Sequence, residues 1–291
     1  MRRGLAAGAV ACAWLTLPAA QNLYEWMGVA PVVVVGRVVV DDQRYIEVDV
    51  VRTLVGDLPA GARVQVDQRS ANRDREPGQE AVRMENGTSF LLLLEPLPAG
   101  KKERLPRYAL VRGVLGTRPV PAEGGAVLVD AAERLAAVHA LSDDSQRWLA
   151  FEQMIEETNP LLLRTALEML LKFHRGAPRE IPLLRPLLDH PQAEVRGDAL
   201  LLISQIVDAH GSLEASDDSG LAAEIIGRAR RDSSVEVRIA AAQCLASLGG
   251  PRIETVLQEI ARTDPEQQVR YAAQRLLLEK SREIGSPERE N

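Results

Sequence analysis

Hydrophobic positions along this chain of 291 residues change their period once. Before about residue 130 they form short β-branched runs or alternate with polar residues. Pro31-Val-Val-Val-Val-Gly36 and Val38-Val-Val40 are runs of the first kind. In Tyr45-Ile-Glu-Val-Asp-Val50, Ile46, Val48 and Val50 share one face, and Tyr45, Glu47 and Asp49 the other. Gly56, Pro59 and Gly61 mark a turn, and Arg63-Val-Gln-Val66 alternates again. Residues 67–88 are charged and punctuated by Gly and Pro, which predicts a long loop. Ser89-Phe-Leu-Leu-Leu-Leu94, Tyr108-Ala-Leu-Val111 and Ala126-Val-Leu-Val129 complete an expected six or seven strands. Short strands between turn signals predict a small barrel or sandwich. Ala131–Leu141 then carries apolar residues at helical spacing, and after Ser142-Asp-Asp-Ser145 the helical period persists to about residue 285.

A single pattern recurs within the helical region. Leu163-Arg164, Val195-Arg196, Val237-Arg238 and Val269-Arg270 each follow a turn containing Asn159-Pro160, His190-Pro191, Asp232-Ser233 or Asp264-Pro265. Small residues follow two or three places later, except that Asp198 stands where the others have Ala166, Ala240 and Ala272. A recurrence every 30 to 45 residues or so means stacked supersecondary units. Residues 210–220 read as a loop inserted between two of them. One helix pair has too little apolar surface to fold alone, so neighbouring pairs must bury its remaining faces. An acid at a close-packed position is costly unless satisfied, so Asp198 is expected to meet an arginine or a helix end.

The helical pattern resembles HEAT repeats over about residues 145–283. That resemblance implies a structural ladder in which a loop Asp and the Arg six positions later link neighbouring units. Asp232 with Arg238 and Asp264 with Arg270 keep the spacing, whereas Asp189 to Arg196 is seven and Asn159 to Arg164 is five. The strand region, about residues 29–130, looks like an OB-like barrel of exported bacterial proteins, distantly similar to the netrin and metalloproteinase-inhibitor barrel. Those inhibitors place an N-terminal cysteine on zinc. No cysteine follows residue 20 until Cys244, so that mechanism does not carry over. The expected fold class is therefore multidomain α+β: a small β-barrel, then an α-solenoid of HEAT-like helix pairs. The expected domains are a signal peptide at 1–20, a barrel domain with short flanking helices at 21–141, repeats at 142–285 and a tail at 286–291.

Arg2 and Arg3, the uncharged stretch Leu5–Leu17 and the small pair Ala19-Ala20 predict an export signal, too short to span a bilayer comfortably. A buried N-terminal helix, or a lipid anchor at Cys12 in Ala9-Val-Ala-Cys12, are the alternatives. The expected location is periplasmic or secreted. Cys244 would then be the single cysteine of the mature chain and forms no internal disulfide. It sits among alanines and leucines, as a core residue would.

Charge narrows the function. The 31 Arg and 4 Lys do not form a basic field, and residues 142–291 hold 18 basic against 25 acidic side chains. Nucleic-acid binding is not expected. His139, His174, His190 and His210 are scattered, and no metal, nucleophile or phosphate-loop motif is present, so neither a cofactor nor catalysis is expected. The leading expectation is a non-enzymatic protein-binding scaffold. Its contacts would come from positions one and five after each Arg, which face away from the buried stripe: Thr165, Met169, Leu201, Ile239, Gln243, Tyr271 and Arg275. The alternative is an enzyme or small-ligand binder at the junction of barrel and array, served by Arg69, Arg73, Asp74 and Arg75.

Overall fold

The computed structural model describes residues 23–41, 45–71, 84–98, 104–111, 116–210 and 219–285. The segment expected to be an export signal, the expected tail, loop residues 73–75 and most of the 210–220 insertion lie outside the described residues. The chain divides into two compact units, residues 1–147 and 148–291.

The first unit opens with helix α1 (Leu23–Val29) and strands β1 (Val32–Asp41), β2 (Tyr45–Val55) and β3 (Arg63–Asp67). A short helix α2 (Gln68–Ala71) follows where a loop was expected, then β4 (Ser89–Pro96), β5 (Arg107–Leu110), β6 (Thr117–Pro119) and helix α3 (Gly125–Ala140). β1 pairs antiparallel with β2, β2 with β3, and β4 with both β5 and β1, while β3 and β5 run parallel. Successive pairings thus lead from β1 around five strands and back to β1. β6 adds to β4 at Phe90–Leu92. Alternation decides which side chains this ring collects. Val34, Val38, Ile46, Val48, Val64 and Leu92 all belong to one buried cluster, while Glu47 and Asp49 stay partly exposed. Gly36 leaves room for its neighbour on β2: a Cβ there would lie 2.3 Å from Val48 Cγ1.

Ala126–Val129 is the opening turn of α3, not a strand. The Val-Leu-Val run has β propensity, but α3 buries Ala131, Ala132, Leu135 and Val138, a helical spacing, and leaves Val127 exposed. α1 packs on α3, with Tyr24 stacked on the His139 ring at 3.8 Å. Arg118 lies 4.8 Å over the Trp26 ring, where burial lowers its pKa to about 10.

Helix α4 (Asp144–Gln153) spans the division between the units. Asp143 accepts the Ser145 amide at its start. The second unit continues with α5 (Pro160–Lys172), α6 (Ile181–Leu184), α7 (Ala193–His210), α8 (Ser219–Arg231), α9 (Val235–Leu248), α10 (Pro251–Thr263) and α11 (Gln267–Gly285). α6 is short because Pro178, Pro182 and Pro186 remove an amide donor each turn. The segments on either side of it wind as 3-10 helix. α7 packs on α5, α9 on α7 and α11 on α9. Their buried stripes are alike: Val195, Ala199, Leu202 and Ile203 in α7, then Val237, Ala241, Cys244 and Leu245 in α9.

The four turns before these helices share one chemistry. Asn159, His190, Asp232 and Asp264 each accept, through the side chain, the amide two residues on. Arg196 donates through Nη1 to the carbonyls of His190 and Pro191 in its own turn. Its Nε and Nη2 reach forward to Asp232 of the next unit, at 2.8 and 2.6 Å. Arg238 repeats this, holding the Asp232 carbonyl and the Asp264 carboxylate, the latter at 2.9 and 3.1 Å. Arg270 holds the carbonyls of Asp264 and Pro265. Each complete rung therefore runs from an Arg to the acid of the following turn, while the spacing of six joins the Arg to its own turn's carbonyl. His190, not Asp189, occupies the turn position before Arg196. Asp189 is exposed and pairs with Arg228. Burial pushes the Asp232 carboxyl up, but bonds from Arg196 and the Ser234 amide outweigh it and hold it below its ordinary value.

The first repeat is offset by a single residue. Arg196, Arg238 and Arg270 are each fourth in their helix, and in α5 that place belongs to buried Leu163, not to Arg164. The position that an arginine fills in α7, α9 and α11 is thus held by an apolar side chain in α5. Asp198, half-buried on α7, instead lies in the field of Arg164. Burial raises its pKa to about 6, Arg164 opposes this, and Glu194 adds to it.

Candidate partner-binding groove

The second helices present one shared surface. Counting from the ladder position, the places five, eight and nine residues on in α5, α7 and α9, twelve in α7, and five, six, nine and ten in α11 share one face. They line a groove of about 730 Å³ that crosses all four helices. α5 contributes Glu168, Leu171 and Lys172, and α7 contributes Leu201, Ser204, Gln205 and Asp208. Gln243, Ala246 and Ser247 come from α9, and Arg275, Leu276, Glu279 and Lys280 from α11.

Of the expected contact residues, Leu201, Gln243 and Arg275 line this groove. Thr165 and Met169 do not: they are 6% and 4% exposed and pack inside. The offset of the first repeat explains this, because it puts Glu168 where Met169 was expected. Ile239 and Tyr271 lie outside the groove lining, and Tyr271 is 67% exposed. The polar lining of Ser204, Gln205, Asp208, Ser247 and Lys280 was not expected. On a sequence these residues look like any solvated helix face.

Much of the lining is bonded across helices. Ser204 Oγ meets Ser247 Oγ at 2.8 Å. Gln205 Nε2 on α7 donates to the Leu171 carbonyl near the end of α5, at 3.3 Å. Lys280 Nζ on α11 donates to the Ala246 carbonyl near the end of α9, also at 3.3 Å. Helix C-termini gather carbonyls that lack full intrahelical pairing; Lys280 donates to one of them, and Gln205 adds a second donor to the Leu171 carbonyl, which also accepts the His174 amide. Gln205 Oε1 is buried with no hydrogen-bond partner. The Leu171 carbonyl fixes that orientation, since a flipped amide would set two acceptors together.

A separate pocket of about 620 Å³, lined by Leu188, Ala223, Arg228 and Asp232 among others, lies on first-helix residues. Its Arg228 is already paired with Asp189 and Asp232. Cys244 is buried under the second-helix face, and burial pushes its thiol up to about 12. Among the described residues, no three His, Cys, Asp or Glu side chains gather into a metal-binding group, and no helix is long and apolar enough to cross a membrane.

The profile of the HEAT repeats family matches residues 204–278, from the end of α7 into α11. The second unit is a helical-repeat solenoid. Among solved structures it is similar to a designed armadillo repeat protein at 15% identity and a TM-score of 0.34, covering 54% of this chain and 77% of that one. A second designed armadillo repeat protein, solved with the peptide (KR)4, is similar at 14% identity and a TM-score of 0.35, covering 55% and 77%. No curated protein matches the chain.

Proposed function

We propose that this chain is an exported, non-enzymatic interaction protein whose solenoid holds a segment of a partner protein in the second-helix groove. The carrying observation is the groove itself. Four alternate helices, α5, α7, α9 and α11, give it both apolar lining, from Leu171, Leu201, Ala246 and Leu276, and polar groups at helix ends. Such a surface fits a chain segment, which brings apolar side chains and backbone donors together. Export rests on the Arg2-Arg3 start and the uncharged stretch after it. For the first unit we read an OB-like barrel, supported by the ring of pairings and its parallel β3–β5 step.

A photo-crosslinking amino acid at Gln243, in the groove, tests the reading in the native host. Arg262, exposed on α10, serves as the control position. A discrete protein adduct from 243 and none from 262 is the expected result. Equal adducts from both positions, or none from either, would overturn it.

A further inference from the structure

We propose that the groove selects a basic segment: an extended stretch of about eight residues carrying a Lys or Arg near its middle, opposite Asp208. This rests on the groove reading above and names the chemistry of its occupant. Four helix axes at 8–10 Å spacing span about 24–30 Å. An extended chain rising about 3.3 Å per residue covers that with about seven to nine residues.

The sign of the charge follows from which groups are already engaged. Each of the three cations of the groove has an internal neighbour. Lys172 lies over the Phe173 ring, Arg275 pairs with Glu279, and Lys280 sits on the Ala246 carbonyl. Asp208 is exposed on the last turns of α7, and no described residue forms an ion pair or hydrogen bond with its carboxylate. Gln205, one turn earlier on the same face, buries an acceptor that no donor fills. α5, α7 and α9 all bring their last turns to this groove, and helix C-termini carry partial negative charge. The carboxylate and the orphan amide oxygen call for donors, and the negative ends of three helices favour positive charge beside them. A basic side chain supplies both. Its alkyl stem would lie along Leu201 and its neighbours in the lining.

Three fluorescent octapeptides test this on the full chain by anisotropy. They share an Ala/Leu background and differ only at the two central residues, which are Lys, Gln or Glu. The Lys peptide is expected to bind tightest and the Glu peptide weakest. Asp208→Asn should weaken the Lys peptide about fivefold and leave the Gln peptide unchanged, and Asp208→Lys should reverse the order. Asp208 is exposed, so both variants should keep the parent melting curve. If the three peptides bind alike and Gln243→Trp abolishes all of them, the groove is a binding site but the charge selection is wrong. Lys-peptide binding that ignores Asp208→Asn also overturns the selection. Should no peptide bind, both readings fail.

Discussion

Removing the acid from one complete rung, by Asp264→Ala, should unfold the solenoid far more easily than its single lost side chain suggests. Arg238 is only 9% exposed along its side chain and Asp264 only 3%. The substitution removes two charge-assisted bonds to Arg238 and the bond to the Glu266 amide. What remains is a buried guanidinium whose fork faces no anion. Breaking a buried pair this way costs about 3–5 kcal/mol. With a urea m-value of about 2 kcal/mol/M, the midpoint followed by far-ultraviolet circular dichroism should fall by about 1.5–2.5 M. Replacing both partners, as Arg238→Met with Asp264→Leu, removes the stranded charge and should recover most of the loss. Arg270→Met is the internal control. Among the described residues its guanidinium bonds to the carbonyls of Asp264 and Pro265, at the outer side of the last described pair, so about 1 kcal/mol is expected. A loss below about 1 kcal/mol for Asp264→Ala, or a double variant no better than the single one, would show that the rungs do not carry the stack.

Three further outcomes follow. Asp198 has its carboxyl raised to about 6 in the fold and about 3.9 unfolded, so the folded chain binds the extra proton between those values. Stability should therefore fall as pH rises from about 4 to 6. Asp198→Asn should erase that slope and gain about 1–3 kcal/mol at pH 7, read from urea midpoints across pH. His174 closes α5 with φ 49°, its amide and that of Arg175 bonding back to Leu171 and Leu170. His174→Gly should relieve that left-handed conformation and raise stability by about 0.5–1 kcal/mol in thermal melts. In a Cys12→Ser chain, Cys244 should resist a thiol reagent until urea unfolds the solenoid; native-state labelling at the rate of a free thiol would contradict its burial.

The pattern of polar and apolar positions carried much of this architecture. Alternation in Tyr45–Val50 named the residues that end up inside the strand ring, and the recurring Arg located the helix pairs. Two errors have physical causes. Val127-Leu-Val129 has strand propensity, yet belongs to the exposed start of a helix whose apolar burial begins only at Ala131. Alignment on Arg164 slipped by a single residue, because an arginine is a conspicuous marker and a leucine in its place is not. The start of α5 at Pro160 was the better guide, and counting from it puts Leu163 at the ladder position. Three of the groove's fourteen lining residues, Leu201, Gln243 and Arg275, followed from helical geometry alone. The bonds that shape its floor, such as Gln205 to the Leu171 carbonyl, join residues 34 apart. Such pairings depend on how helices stack, which no local pattern encodes.

A leucine at the ladder position of α5, where α7, α9 and α11 have arginine, gives the stack a polarity. α7, α9 and α11 are clamped in sequence, each complete arginine gripping its own turn and the next one, so disturbance at one joint is felt at the joint beyond it. The first joint relies on apolar packing, the Gln205 amide and the uneasy neighbourhood of Asp198 and Arg164. Heat or force should therefore loosen the array at that seam first, leaving the last three helix pairs as a block that opens later and all at once.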